Sequence, residues 1–300
     1  MSTKHKDVAD CLETLFKRLD VAKLAPETIL KSEAQREHYE SILMFAFRKL
    51  QAARYHHRRV GELLDLQRKE LTRLQETSKP KGQGLEAATA TVRVTRSADE
   101  LTFELCAFFA AIRSGIDFLT RASAQHIKGV QAESITTLLG LIDDGKTGPL
   151  LKVIAQNAEW LRALRDYRDY LVHRLVIQAT SGGQVLWKHG KAVTTPYPIV
   201  VPSKIPTNVP DTRRARAFDE PEFRFNVAAS EAFITDADGK KHLIEHSVEM
   251  EPADGYIRIE DLMKRELTAF EHFFVTVVEV LTELDFAPTP LEKGSSKAPA

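Results

Sequence analysis

Residues 33–76 contain no proline and a single glycine, Gly61, and their apolar positions recur at alternating steps of four and three. Ala46, Leu50, Ala53, His57, Val60, Leu64, Gln67, Leu71 and Leu74 trace that seam. The pattern predicts one long helix whose heptad-like stripe has two polar interruptions, His57 and Gln67. At 1.5 Å per residue it would run roughly 65 Å. Such a seam has to be buried, against the rest of the chain or against a second copy.

Shorter periodic segments flank it. Residues 7–20 predict a helix, followed by a loop that contains Pro26. Ser97-Ala98-Asp99-Glu100 has the form of a capping box, in which Ser97 caps a helix and Glu100 reaches back. The helix so opened carries Leu101, Leu105, Phe108, Phe109, Ile112, Ile116 and Leu119 on one broad apolar stripe. Helices are predicted again over residues 131–143, about 150–179, and 259–286. The last of these presents Leu262, Leu267, Phe270, Phe274, Val277, Leu281 and Leu284 toward a core.

Between residues 180 and 258 the character changes. "QVLWKHGKAVTT" predicts a hairpin turning at His189-Gly190, and "EAFITDADGKKHLIEH" a second one turning at Asp238-Gly239, with a proline-rich connection between them. The expected plan is mainly α, an up-and-down helical bundle with a long N-terminal helix and a small β-hairpin insertion. It divides into an N-terminal helical arm (1–80), a bundle (81–180 plus 259–286), a β-containing insertion (181–258) and a disordered tail (287–300). Residues 77–84 are expected to form a flexible break, and the next segment, to Arg96, to be irregular apart from a short extended piece.

Composition narrows the class without changing this plan. The chain of 300 residues is 43% hydrophobic and 28% charged, enough to fill a substantial core. Two distant cysteines, Cys11 and Cys106, give no disulfide framework, and Cys106 lies among apolar residues as a small core side chain would. No apolar run is long enough for a signal or a membrane span, so a cytoplasmic protein is expected, with no membrane partner. Net charge is zero but unevenly spread. Residues 48–73 carry eight Lys/Arg against three acids, and residues 217–261 carry twelve Asp/Glu against four Lys/Arg. The basic stretch is either the charged outer face of a coiled helix or an arm that meets a polyanion.

The candidate chemistry lies in "RALRDYRDYLVHRL", residues 162–175. Leu161, Leu164, Arg168, Leu171 and Leu175 are spaced three, four, three and four, which places Arg168 where the pattern reserves an apolar residue. A guanidinium there needs a counter-ion, an interface, or a groove reached by an anion, and its planar fork of donors suits a phosphate. Asp169 and His173 are four apart and neighbours on the helix surface, where a carboxylate can orient an imidazole. His173 is turned about 140° from Arg168 around the axis, so one helix cannot offer both to one atom. Against these stand plainer roles: a snorkelling arginine, and a surface pair between Arg165 and Asp169.

Arg168-Asp169-Tyr170-Leu171-Val172-His173 resembles the R-x4-H motif of the HEPN superfamily, whose helical bundles carry it toward the end of a late core helix. The resemblance covers about residues 97–180 plus 259–286, and the long insertion and the 33–76 helix depart from the family core. It implies a metal-independent endoribonuclease that needs no cofactor and works as a homodimer, with two motif helices facing across a groove. Toxins and antiphage or stress effectors are the implied settings, with an antitoxin or regulatory protein as a further partner. On this chain it would make Arg168, His173 and Asp169 catalytic. His173 would move a proton while a ribose 2′-OH attacks the phosphate, Arg168 would stabilise the phosphoryl oxygens, and Asp169 would orient the site. Arg165 and Arg174 would add phosphate contacts and Tyr170 a packing or stacking surface, the substrate being single-stranded RNA or tRNA. The alternative is a non-catalytic HEPN-like bundle that binds a protein or nucleic acid.

Other signals carry less. His242 and His246 fall on one face of a predicted strand about 13 Å apart, too far for one metal, so no metal site is expected. Arg113 and Asp117 fit an intrahelical pair. Phosphate-loop, nucleophile-elbow and dinucleotide fingerprints do not occur.

Overall fold

A computed structural model describes residues 7–22, 30, 32–77, 87–93, 98–173, 182–188, 191–204, 225–235, 238–239, 241–284, 286 and 291–293. It is mainly helical, a helical bundle with small β-hairpins. Its elements in chain order are α1 (Val8–Ala22), α2 (Glu33–Thr77), β1 (Ala87–Arg93), α3 (Ala98–Ala124), α4 (Ile135–Asp143), β2 (Lys146–Thr147), α5 (Pro149–Gln156) and α6 (Ala158–His173). They continue with β3 (Gly182–Lys188), β4 (Lys191–Pro196), β5 (Val200–Pro202), β6 (Phe225–Thr235), β7 (Lys241–Pro252), β8 (Tyr256–Arg258), α7 (Ile259–Glu283) and β9 (Glu292–Lys293). The chain separates into two units, one of residues 1–55, 107–168 and 265–300, the other of residues 56–106 and 169–264. These boundaries fall inside α2, α3, α6 and α7.

In the first unit, aromatic contacts join the helices in a closed circuit. Phe45 of α2 stacks on Phe118 of α3, with ring centres 5.5 Å apart. Phe109 of α3 stacks on Tyr167 of α6 at 5.2 Å, and Trp160 of α6 meets Phe273 of α7 at 5.7 Å. Arg54 of α2 closes the ring through a 2.7 Å bond to Glu271 of α7. At the centre, Gly115 lets α3 approach its neighbours. A Cβ there would lie 2.5 Å from Cζ of the fully buried Phe270 and 3.3 Å from Cβ of Lys49.

The long seam of α2 is buried within its own chain. Tyr39, Leu43, Ala46, Leu50, Ala53, Val60 and Leu71 have no exposed surface, and the stripe starts about two turns earlier than the periodicity suggested. Along the outer face of α2, Arg58, Arg59, Arg68 and Arg73 each pair with an acid three or four residues away. This is the salt-bridged outer face of a helix, in which each exposed pair is worth little.

The second unit holds most of the strands. β1, β3 and β4 form an antiparallel sheet in that order, with Lys188 opposite Lys191 so that two residues join β3 to β4. β6 and β7 pair over their length with one register shift after Ala232, and Gly239 between them takes φ 77°, the left-handed conformation its turn requires. β5 pairs with β8, and Ile199, Val200, Val201, Met250 and Ile259 are buried beside them.

Three expectations change. The helix predicted over about 150–179 is two helices, because Asn157 breaks it. Its side-chain amide donates to the carbonyl of Val153 at 2.9 Å, while its own carbonyl accepts from Leu161 N at 2.9 Å as α6 begins. The tail expected to be disordered from residue 287 contains β9, which pairs with β2 as Lys146↔Lys293 and Thr147↔Glu292. In α7 the buried position is Glu266, 6% exposed, and Leu267 is only half-buried. Ser97 lies outside the described residues. No helix among them is long and apolar enough to cross a membrane.

Candidate functional site

The motif lies on the last turns of α6. Ala158, Leu161, Leu164, Tyr167, Tyr170 and Leu171 form the buried stripe of this helix. Tyr167, not Arg168, fills the core position, held there by its stacking on Phe109. Arg168 flanks the stripe half-buried, and Asp169 beside it is exposed. Both make side-chain interactions, so neither is a free group. Arg168 is therefore not the buried seam cation that the spacing implied. It is a partly sheltered guanidinium at the border between core and solvent, where its stem can be covered and its head can meet an anion.

The other arginines of α6 have partners. Arg162 Nη2 bonds Asp143 Oδ1 at 2.6 Å, and Arg165 pairs with its neighbour Asp166 at 2.7 Å rather than with Asp169. Tyr170 is 4% exposed, which removes it from the set of surfaces an RNA base could stack on and leaves it as packing. His173 is the last residue of α6, and its side chain, like all of Arg174, lies outside the described residues. His242 and His246 are on β7 as expected, with side chains likewise outside them.

Arg113 and Asp117 have a structural task. They pair at 3.3 Å, Asp117 Oδ1 accepts from Ile135 N at 3.1 Å, and Arg113 Nη2 donates to Ser134 Oγ at 2.8 Å. Ser134 caps α4, so this pair fixes the start of that helix.

Two buried polar groups escaped the periodicity. Glu266 accepts from Trp160 Nε1 at 2.8 Å and from Arg265 at 2.7–2.9 Å, which satisfies a carboxylate placed in the α7 stripe. His126 follows α3, is 1% exposed, and shares a 2.9 Å hydrogen bond through Nε2 with the Tyr39 hydroxyl. Burial lowers its pKa to about 4 and pushes the Tyr39 phenol far above its usual range. His126 is thus a neutral packing histidine at neutral pH, bordering a cavity of about 10 Å³ that is too small for any substrate. Cys106 is half-buried, and burial raises its thiol pKa, which disfavours the nucleophilic thiolate.

Comparison with protein-family models, curated proteins and solved structures found no match. The functional reading therefore rests on the residues of α6 and their surroundings.

Proposed function

We propose that the protein is a metal-independent endoribonuclease of the HEPN type, acting through Arg168 and His173 as a homodimer. The observation that carries this reading is the position of Arg168 and Asp169 on the last turns of a bundle helix. The core there is completed by Tyr167, Tyr170 and Leu171, and the arginine stands at its border. Arg162 and Arg165 on the same helix are bound to carboxylates.

The chemistry needs two copies of α6, because Arg168 and His173 diverge by about 140° on one helix. Across a groove between two copies, both groups reach one phosphodiester. The 2′-OH loses its proton and attacks phosphorus, the bond to the 5′ oxygen breaks, and that oxygen takes up a proton. The products are a 2′,3′-cyclic phosphate and a 5′-hydroxyl end. His173 moves the proton, Arg168 neutralises charge on the phosphoryl oxygens, and Asp169 orients the imidazole. Arg165 and Arg174 steer the RNA backbone, which makes binding salt-dependent. Tyr170 has no part in contacting RNA.

The test is cleavage of labelled single-stranded RNA and a tRNA pool in EDTA. The expected result is cyclic-phosphate ends with wild type and a loss of at least about a hundredfold in Arg168→Ala and His173→Ala, the usual scale for such groups. A folded, dimeric wild type that cuts neither substrate overturns the catalytic reading and leaves a helical binding protein.

A further inference from the structure

The second unit contains a cavity of about 220 Å³ at the polar interruption of the α2 seam. Gln67 lines it, 3% exposed, and its Nε2 has no hydrogen-bond partner among the described residues. An amide buried without a partner is a standing cost, and an apolar residue would complete this seam better. Gln67 thus points to a ligand that satisfies it.

The remaining wall specifies what that ligand is. Leu64, Ile199 and Met250 are buried and give an apolar floor. Two guanidinium groups border the cavity, each with one carboxylate partner. Arg68 Nη1 donates to Asp65 at 2.8 Å, while Arg258 Nη2 donates to Glu251 at 3.0 Å and to the Met250 carbonyl at 3.2 Å. A guanidinium has five N–H donors, so these contacts leave donors over on both. Glu260 also lines the cavity and has no hydrogen bond or ion pair among the described residues. With each arginine balanced by its own acid, Glu260, in the first turn of α7, is the charge of the wall that has no ion-pair partner among the described residues.

A simple anion would face Glu260, and a simple cation would leave the Gln67 and guanidinium donors unmet. A zwitterion satisfies both ends. The volume equals roughly seven waters at ~30 Å³ each, room for a ligand of fewer than about a dozen heavy atoms. We propose that this cavity binds a free α-amino acid with an apolar side chain. Its ammonium meets Glu260, its carboxylate meets Gln67 and the guanidinium donors of Arg258 and Arg68, and its side chain lies on Leu64, Ile199 and Met250. The inference is independent of the motif on α6 and stands whether or not the protein cuts RNA.

Calorimetric titration of the full chain with leucine, valine and methionine, each alone, tests it. N-acetyl-leucine and isopentylamine serve as probes lacking the ammonium and the carboxylate. The expected result is saturable binding of at least one amino acid in the micromolar to millimolar range, with both probes weaker by about tenfold or more. Gln67→Leu, which removes an unsatisfied group and keeps the fold, and Glu260→Gln should each weaken binding by a similar factor. The proposal is overturned if the folded wild type binds none of the three amino acids at millimolar concentration. It fails equally if N-acetyl-leucine or isopentylamine binds as tightly as leucine, or if Gln67→Leu leaves the affinity unchanged.

Discussion

Acidification acts on this fold through His126. The imidazole is buried against Tyr39 and Phe286, with ring centres 5.6 and 5.5 Å away, and it is neutral because burial lowers its pKa from 6.5 to about 4. In the unfolded chain it regains its ordinary value. Between pH 6.5 and about 4 the unfolded state therefore holds one more proton than the folded state. Stability is flat above that window and falls as the pH drops through it. At about 1.4 kcal/mol per pH unit, the loss by pH 4 is on the order of 3 kcal/mol, a large share of the stability of an ordinary domain. Carboxylates titrate over part of the same range, so the test is a difference between two proteins. Urea unfolding followed by circular dichroism at pH 7, 6, 5 and 4 compares wild type with His126→Gln, which cannot titrate. The variant is expected to be less stable at pH 7 by about 1–3 kcal/mol, because the buried Tyr39 hydroxyl loses its partner. Its pH dependence should be shallower than that of wild type by on the order of 3 kcal/mol between pH 7 and pH 4. Parallel curves for the two proteins would refute the assignment of His126 as a group buried neutral.

Three other substitutions check the packing. Gly115→Ala gains helix propensity but drives a Cβ to 2.5 Å from Phe270, so it should lower stability in urea by about 1–3 kcal/mol instead of raising it. Glu266→Leu leaves the Trp160 indole N–H without its acceptor; a loss of about 1–3 kcal/mol and a shifted Trp160 fluorescence spectrum in a Trp187→Phe background are expected. Asp117→Ala removes the acceptor for Ile135 N and should cost about 1–2 kcal/mol, with faster hydrogen exchange at the Ile135 amide and little change elsewhere in α3.

The helices were legible because burial imposes a period on the sequence, and α1, α2, α3 and α7 begin and end within a few residues of where that period does. The hairpins were legible from their turns, Asp238-Gly239 most directly. What periodicity could not supply is backbone pairing without a side-chain signature, as between β2 and β9, or a break made by one side-chain amide, as at Asn157. The Gln67 cavity was half legible. The polar residue in the seam was visible, but the strands that enclose it come much later in the chain.

The two misplaced core positions share one cause. An α-helix has 3.6 residues per turn, so a stripe read at steps of three and four drifts by about 20° per heptad, and two consecutive residues can compete for its edge. The partner on the facing helix decides between them. Phe109 offers an aromatic face, and Tyr167 takes the core position in place of Arg168. Trp160 offers an N–H, and Glu266 takes the core position in place of Leu267. The consequence for the motif is specific. A guanidinium at the centre of an apolar seam would need a built-in counter-ion and would be spent on the fold. At the edge of the stripe Arg168 is half-buried rather than fully enclosed, the arrangement in which an arginine can meet a phosphate arriving from outside.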